Sequence, residues 1–158
     1  MTVLSHQSIL RDLQFNITPF VSAKVTANGK SYGLSHAGYD IRVNFKDGAS
    51  GIIMTPGDFV LAVSLEHLRI PDDVIVFVKD KSSWAREGLS VQNTVLEPGW
   101  RGYITLELNY HRPHGSLRIN AGDPIAQLIF MRLDEPTDNP YSGKYQDQIN
   151  QPVEAKRE

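Results

Sequence analysis

Tyr103-Ile104-Thr105-Leu106-Glu107-Leu108-Asn109-Tyr110 alternates apolar and polar residues along its length. Ile104, Leu106 and Leu108 share one face; Thr105, Glu107 and Asn109 share the other. Successive side chains of an extended chain point to opposite faces, so the pattern predicts a half-buried β-strand. It also sets the carboxylate of Glu107 on the polar face of a rigid element. Working outward, Ile41–Phe45, Ile52–Met54, Phe59–Leu65, Val74–Val78, Leu117–Ile119 and Ile125–Leu133 are further apolar stretches of strand length. Turn chemistry separates them, as at Asp47-Gly48, Pro56-Gly57-Asp58, Pro71-Asp72-Asp73, Pro98-Gly99, His114-Gly115 and Ala121-Gly122-Asp123. Strands at roughly 8–12-residue spacing, without long helical patterns between them, predict an all-β sandwich or barrel.

Two short helices are expected beside the strands. Ser5 can cap one that runs through Leu13, with Ile9, Leu10 and Leu13 as its apolar stripe. Ser82–Glu87, stopped by Gly88, reads as one or two turns. From Asp134 onward the text turns polar, with Tyr141 and Tyr145 as isolated aromatics, and a mobile tail is expected.

The chain has 158 residues, which at roughly 100–200 per domain is one domain with a tail. Hydrophobic residues make up 41% and charged residues 22%, so general disorder is excluded. With 16 basic and 18 acidic residues, the net charge of −2 provides no basic field for duplex nucleic acid. There is no cysteine, which removes disulfides, thiol nucleophiles and zinc sites built on thiolate. Apolar runs such as Val74–Val78 fall far short of the ~20 residues that span a bilayer. Met1-Thr2-Val3-Leu4-Ser5-His6 lacks a basic-then-apolar leader, and a cytoplasmic protein is expected. Phosphate-binding and dinucleotide-binding glycine loops and the His-Glu-x-x-His zinc helix are all missing. His111 and His114 lie in a Pro/Gly turn and read better as a solvated loop than as a metal site; Asn16-Ile17-Thr18 is a glycosylation sequon without a secretory route.

Three segments carry more chemistry than packing requires. In Ser31–Arg42, small residues precede Asp40-Ile41-Arg42, which puts Asp40 and Arg42 on one strand face. The bland reading is an internal Asp–Arg pair. In Asp80–Leu89, the hydroxyls of Ser82 and Ser83 and the free amides of a helix start make an anion seat, with Arg86 on the same helical face. The bland reading there is a Ser cap with a surface arginine. In Thr94–Glu107, two carboxylates, Glu97 and Glu107, are expected on the strands of a hairpin around Pro98-Gly99. A carboxylate on a polar strand face is more often simply solvated.

Taken together, the segments resemble the dCTP deaminase/dUTPase superfamily, and its dCTP deaminase branch in particular. Tyr32–Arg42 is similar to that branch's Tyr-Gly-x-Ser-x-x-Gly-Tyr-Asp-(Ile/Val)-Arg, and Lys81-Ser82-Ser83-Trp84-Ala85-Arg86 to its Lys/Arg-Ser-Ser/Thr-x-Ala-Arg. Glu97-Pro98-Gly99-Trp100 with Ile104-Thr105-Leu106-Glu107 is similar to its Glu/Asp-Pro-x-Trp-x-Gly-x-(Ile/Val)-Thr-Leu-Glu. Gly143-Lys144-Tyr145-Gln146-Asp147-Gln148 resembles its closing Gly-Lys-Tyr-Gln-x-Gln. The four motifs follow in the family's order over residues 1–150. Between Arg42 and Thr55 the chain is shorter than typical bacterial members, and beyond Gln148 the similarity ends.

The resemblance implies a distorted, jelly-roll-like β-barrel of the dUTPase type over residues 1–135. Residues 136–158 would form a tail that closes over the active site. It implies a homotrimer with shared sites, a nucleotide substrate, and Mg2+ carried on the triphosphate without zinc or any metal held by the protein. Catalysis would fall to Glu107 as general base, with Arg86 and Ser82 orienting water and stabilising the intermediate. Lys81 and Ser83 would help seat phosphates, Glu97 would bond the deoxyribose 3′-hydroxyl, and Trp100 would pack on the sugar. Thr94 is a further expected substrate contact, and Tyr141, Lys144, Tyr145 and Gln148 would cover the triphosphate. The reading is hydrolytic deamination of dCTP to dUTP and ammonia. The alternatives are a dUTP pyrophosphatase, an enzyme performing both steps, or a non-catalytic nucleotide-binding member.

Overall fold

The computed structural model describes residues 2–27 and 29–157. Thirteen strands occur among these residues: β1 (Thr2–Val3), β2 (Ile17–Thr18), β3 (Val25–Ala27), β4 (Lys30–Leu34), β5 (Tyr39–Asn44), β6 (Gly51–Met54), β7 (Phe59–Arg69), β8 (Val74–Asp80), β9 (Leu89–Val91), β10 (Val95–Leu96), β11 (Arg101–Tyr110), β12 (Leu117–Asn120) and β13 (Pro124–Arg132). Two short helices, α1 (His6–Asp12) and α2 (Ser82–Arg86), pack beside them. The all-β expectation holds. No helix among the described residues is long and apolar enough to cross a membrane.

The principal sheet runs β10-β8-β13-β5-β7-β11-β9, with β1 on β13, β2 on β7 and the β3–β4 hairpin on β5; β6 and β12 form a separate pair. Strand β5 turns the corner. Its first half pairs with β13, as in Tyr39↔Leu128, and its second half with β7, as in Val43↔Ser64. The two ends of the curled sheet then meet. Val78 N donates to Thr94 O at 3.1 Å, and Val91 N donates to Asp80 Oδ1 at 2.7 Å. The barrel therefore closes along a seam at residues 91–94, where the chain leaves β9 and has not yet joined β8 as β10.

Burial follows the sequence pattern. Along β11, Ile104, Leu106 and Leu108 are buried while Thr105, Glu107 and Asn109 are half-buried. The inward face packs with Ile41, Val43, Val76, Leu128 and Phe130 in one continuous core. Burying each such side chain contributes about 1.5–3 kcal/mol.

Several expectations need correction. Val95–Leu96 and Arg101–Tyr110 do not form a hairpin. Strand β10 pairs with β8, whereas β11 pairs with β7 and β9, so the Pro98-Gly99 turn carries the chain between the two halves of the barrel. Asp40 and Arg42 do not pair with each other. Asp40 accepts from Lys81 Nζ at 2.7 Å and Gln127 Nε2 at 3.0 Å, and Arg42 Nε donates to Glu66 Oε1 at 2.7 Å. Both residues still pair with β13, and the strand passes to β7 only at Val43, so Arg42, at the point of exchange, is the one that reaches Glu66 of β7. Burial pushes the Glu66 carboxyl above its ordinary range, and the bonds from Arg42 pull it part of the way back. Ser5 stands at the N-cap of α1, but its hydroxyl shares a bond with Ser8 Oγ instead of capping an amide. Helix α2 ends one residue earlier than expected, and Lys81, not a serine, holds its N-cap position.

Candidate active site

A cleft of about 450 Å3 opens over the barrel seam. Its floor is the polar face of β11, with Thr105 and Glu107, and its walls include Phe59 and Leu61 of β7, Val78 of β8 and residues 93–97. Trp100 also lines it, and the tail contributes Tyr141, Tyr145, Gln148, Val153, Glu154 and Ala155.

Glu107 projects from the middle of β11, and its carboxylate has no hydrogen-bond partner among the described residues. Partial removal from water pushes its proton affinity above the usual carboxylate range. The backbone on either side is held from the seam. Asn93 Nδ2 donates to Thr105 O at 2.7 Å, Glu107 N donates to Asn93 Oδ1 at 3.0 Å, and Gln92 N donates to Glu107 O at 2.8 Å. Asn93 was not foreseen from the sequence, because nothing in the polar run Gln92-Asn93-Thr94 marks one of its residues out from the others.

Thr94 and Glu97 are exposed on the cleft, and Thr94 also supplies the carbonyl that closes the barrel. Trp100 is buried, and its indole N–H donates to Tyr145 O at 2.8 Å.

The tail is seated rather than free. Gly102 forms a parallel bridge with Gln148, and Tyr103 N donates to Gln148 O at 3.0 Å. A side chain at Gly102, whose φ is +141°, would come within 2.6 Å of Gln148 N. Thr105 Oγ1 donates to Gln148 Oε1 at 2.8 Å and accepts from Val153 N at 3.0 Å. Tyr141 N donates to Pro98 O at 2.8 Å, and Tyr145 N donates to Tyr141 Oη at 3.1 Å. Composition suggested mobility because the tail has few apolar residues; backbone bonds to β11 hold it instead.

The cleft thus brings together Glu107, Thr94, Glu97, Trp100, Tyr141, Tyr145 and Gln148. Five other expected site residues lie off its walls. Lys144 Nζ donates to Lys156 O at 2.7 Å and sits 5.6 Å from the Tyr145 ring centroid. Lys81 is bound to Asp40, with both side chains nearly buried. Ser82 and Arg86 are exposed on α2 and Ser83 is half-buried there. The Arg86 carbonyl accepts from Arg112 Nη2 at 2.7 Å, while its guanidinium has no partner among the described residues. The cleft walls carry three carboxylates, Glu97, Glu107 and Glu154, and no Lys, Arg or His among the described residues. No group of three or more metal-ligating side chains occurs among them either.

Comparison with known proteins identifies the fold and the family. The 2′-deoxycytidine 5′-triphosphate deaminase of Agrobacterium tumefaciens superposes with a TM-score of 0.65 at 13% identity, covering 85% of this chain and 49% of that one. The EIAV dUTPase superposes at 0.54 with 21% identity, covering 70% and 87%. A dUTPase of phage phi11 of S. aureus, described with a structural Mg(II) ion, gives 0.53 at 17% identity, covering 68% and 84%. The curled antiparallel barrel is thus of the dUTPase-type fold. Residues 12–133 match the family described as dCTP deaminase-like, and the chain belongs to that family. Curated relatives named dCTP deaminase include those of Acidobacterium capsulatum, 36% identical over 84% of this chain and 86% of the relative, and Anaplasma marginale, 38% identical over 82% and 84%.

Proposed function

We propose that this protein is a dCTP deaminase, converting dCTP and water to dUTP and ammonia. The observation that carries the reading is Glu107: a half-buried, unpartnered carboxylate with raised proton affinity, fixed on the floor of a nucleotide-sized cleft. As a carboxylate it takes a proton from a water aimed at C4 of the cytosine ring. The water oxygen bonds to C4 while ring N3 gains a proton, giving a tetrahedral carbon that bears both hydroxyl and amino groups. Transfer of the hydroxyl proton to the amino group breaks the C4–N bond, releases ammonia and leaves the C4 carbonyl. Glu107 is the shuttle for these protons. Glu97 bonds the sugar 3′-hydroxyl, Trp100 packs against the sugar and excludes a 2′-hydroxyl, and Thr94 makes a further substrate contact.

The rest of the site comes from a neighbouring chain in a homotrimer. A triphosphate cannot be held by a wall of three carboxylates alone, and the exposed Arg86, whose guanidinium has no partner among the described residues, and the exposed Ser82 of α2 are suited to enter another chain's cleft. There they orient water and stabilise the tetrahedral intermediate. Ser83, with Lys81 behind it, is read as helping to seat the phosphates. Residues 136–158 act as the lid, with Tyr141, Lys144, Tyr145 and Gln148 over the triphosphate. The setting is cytoplasmic.

The deciding experiment is chromatography of dCTP and dUTP incubated with the protein and Mg2+. Release of dUTP and ammonia from dCTP is expected. Formation of dUMP and pyrophosphate from dUTP alone would overturn the reading, and both together would make the enzyme bifunctional. Mg2+ arrives with the nucleotide, so EDTA is expected to suppress turnover and added Mg2+ to restore it; a zinc-selective chelator is expected to change nothing. Truncation after Asp138 is expected to raise KM for dCTP and lower turnover several-fold with the far-UV circular dichroism unchanged. Full activity of the truncated chain would remove the lid from the proposal.

A further inference from the structure

We propose that Asn93 is a positioning residue for Glu107, its carboxamide standing in for the backbone of a missing strand at the seam of the barrel. The inference rests on the reading of Glu107 as general base.

Strand β9 pairs with β11 only as far as Val91↔Leu108, and β10 belongs to β8. Beyond Val91 the chain leaves the edge of β11 for β8, and residues 93–97 line the cleft instead of extending the sheet. This departure leaves Thr105 and Glu107 without strand partners for their backbone on that side. An unpaired amide or carbonyl in a half-buried strand is costly, and water entering to satisfy it would loosen the strand. Asn93 resolves the conflict. A carboxamide carries a donor and an acceptor in one plane, as a peptide group does. Here the donor reaches Thr105 O at 2.7 Å and the acceptor receives Glu107 N at 3.0 Å. With Gln92 N on Glu107 O at 2.8 Å, residues 105–107, paired with β7 on one side, keep an unbroken edge on the other, where β9 no longer pairs with them. The carboxylate stays free for chemistry because every bond at Glu107 is made by its backbone.

The test compares Asn93→Ala and Asn93→Asp in the full-length assembled enzyme by kcat, KM, the acid limb of the kcat/KM–pH profile and thermal melting. The other charged or titratable groups on the cleft are Glu97, Glu154, Tyr141 and Tyr145. From β7 only the uncharged Phe59 and Leu61 face it, and in the proposed trimer a neighbouring chain adds its Arg86. Asn93→Ala admits water to the floor and frees the strand. A fall in kcat of ~10-fold or more, toward the ~10²-fold cost of a misplaced catalytic group, is expected with KM nearly unchanged and the acid limb moved to lower pH. Asn93→Asp keeps the acceptor for Glu107 N, loses the donor to Thr105 O and sets a like charge beside the base. Its acid limb is expected to move the opposite way, to higher pH. Opposed shifts are a signature that a merely structural residue would not give. Should Asn93→Ala fail to fold, the Asp variant alone decides by the direction of its shift. Unchanged kcat and acid limb in Asn93→Ala, or an unmoved limb in Asn93→Asp, would overturn the proposal. Wild-type turnover by Glu107→Gln would instead overturn the reading beneath it.

Discussion

Glu107→Gln is expected to lower dCTP turnover by at least ~10²-fold, the low end of what removing a general base costs. The amide nearly matches the carboxylate in shape but cannot accept a proton from water. The fold is expected to survive intact, because the side chain has no partner among the described residues to lose and the bonds that fix residue 107 come from its N–H and C=O. Melting temperature and nucleotide affinity should therefore stay close to wild type while ammonia release collapses. In the wild type, burial raises the affinity of Glu107 for its proton, so the base form is lost at higher pH than for an ordinary carboxylate. Activity should fall on acidification while the pH is still above the usual carboxylate range, and this limb should vanish with the residual activity of Glu107→Gln. Near wild-type turnover by the variant would pass the role of base to another carboxylate on the cleft, Glu97 or Glu154.

A mixture of two dead enzymes is expected to regain activity. Arg86→Ala should be inactive because the cleft, among the described residues, supplies no cation of its own to the triphosphate or the intermediate. If Glu107 and Arg86 of one site belong to different chains, trimers re-formed from equal amounts of Glu107→Gln and Arg86→Ala chains contain some sites with both residues intact. Random assembly around a heterologous interface leaves about a quarter of the sites whole, and about a quarter of wild-type turnover should return. If both residues serve the same chain's site, no mixing restores anything. The measurement is dCTP deamination before and after subunit exchange, with light scattering to establish the trimer. Failure to recover activity in a verified mixed trimer would remove the shared site from the proposal.

How much of this was legible in the sequence depends on how local each feature is. Strand β11 and its buried face were readable because alternation is a property of consecutive residues. So were the turn at Pro98-Gly99 and the short α2. The partners of the strands were not. Turn chemistry says that the chain reverses at Pro98-Gly99, but the closure of a curled sheet decides that β10 goes to β8. Asp40 and Arg42 are two residues apart on β5, yet their partners, Lys81 and Glu66, come from other elements that the spacing does not reveal. The tail looked mobile because composition reports apolar burial and is blind to backbone bonds such as Tyr103 N to Gln148 O. Asn93 was invisible for a similar reason: its partners lie 12 and 14 residues away and are main-chain atoms. The expected positions of Glu107, Glu97, Trp100 and the tail tyrosines converge on one cleft, but that α2 stands apart from it is a fact of three dimensions.

The bond from Lys81 to Asp40 has a consequence for inheritance within the assembly. Lys81 is the residue from which α2 springs, and Asp40 belongs to the strand that turns the corner of the barrel. The arm carrying Ser82 and Arg86 is therefore bolted to its own chain's interior rather than hung from a loop. In the proposed trimer that arm completes the next chain's cleft, so a fault at Asp40 would leave its own carboxylate floor sound and cripple the neighbour's. Each chain would be the custodian of another's chemistry, and a heterozygous population would show the defect displaced by one subunit from the substitution that caused it.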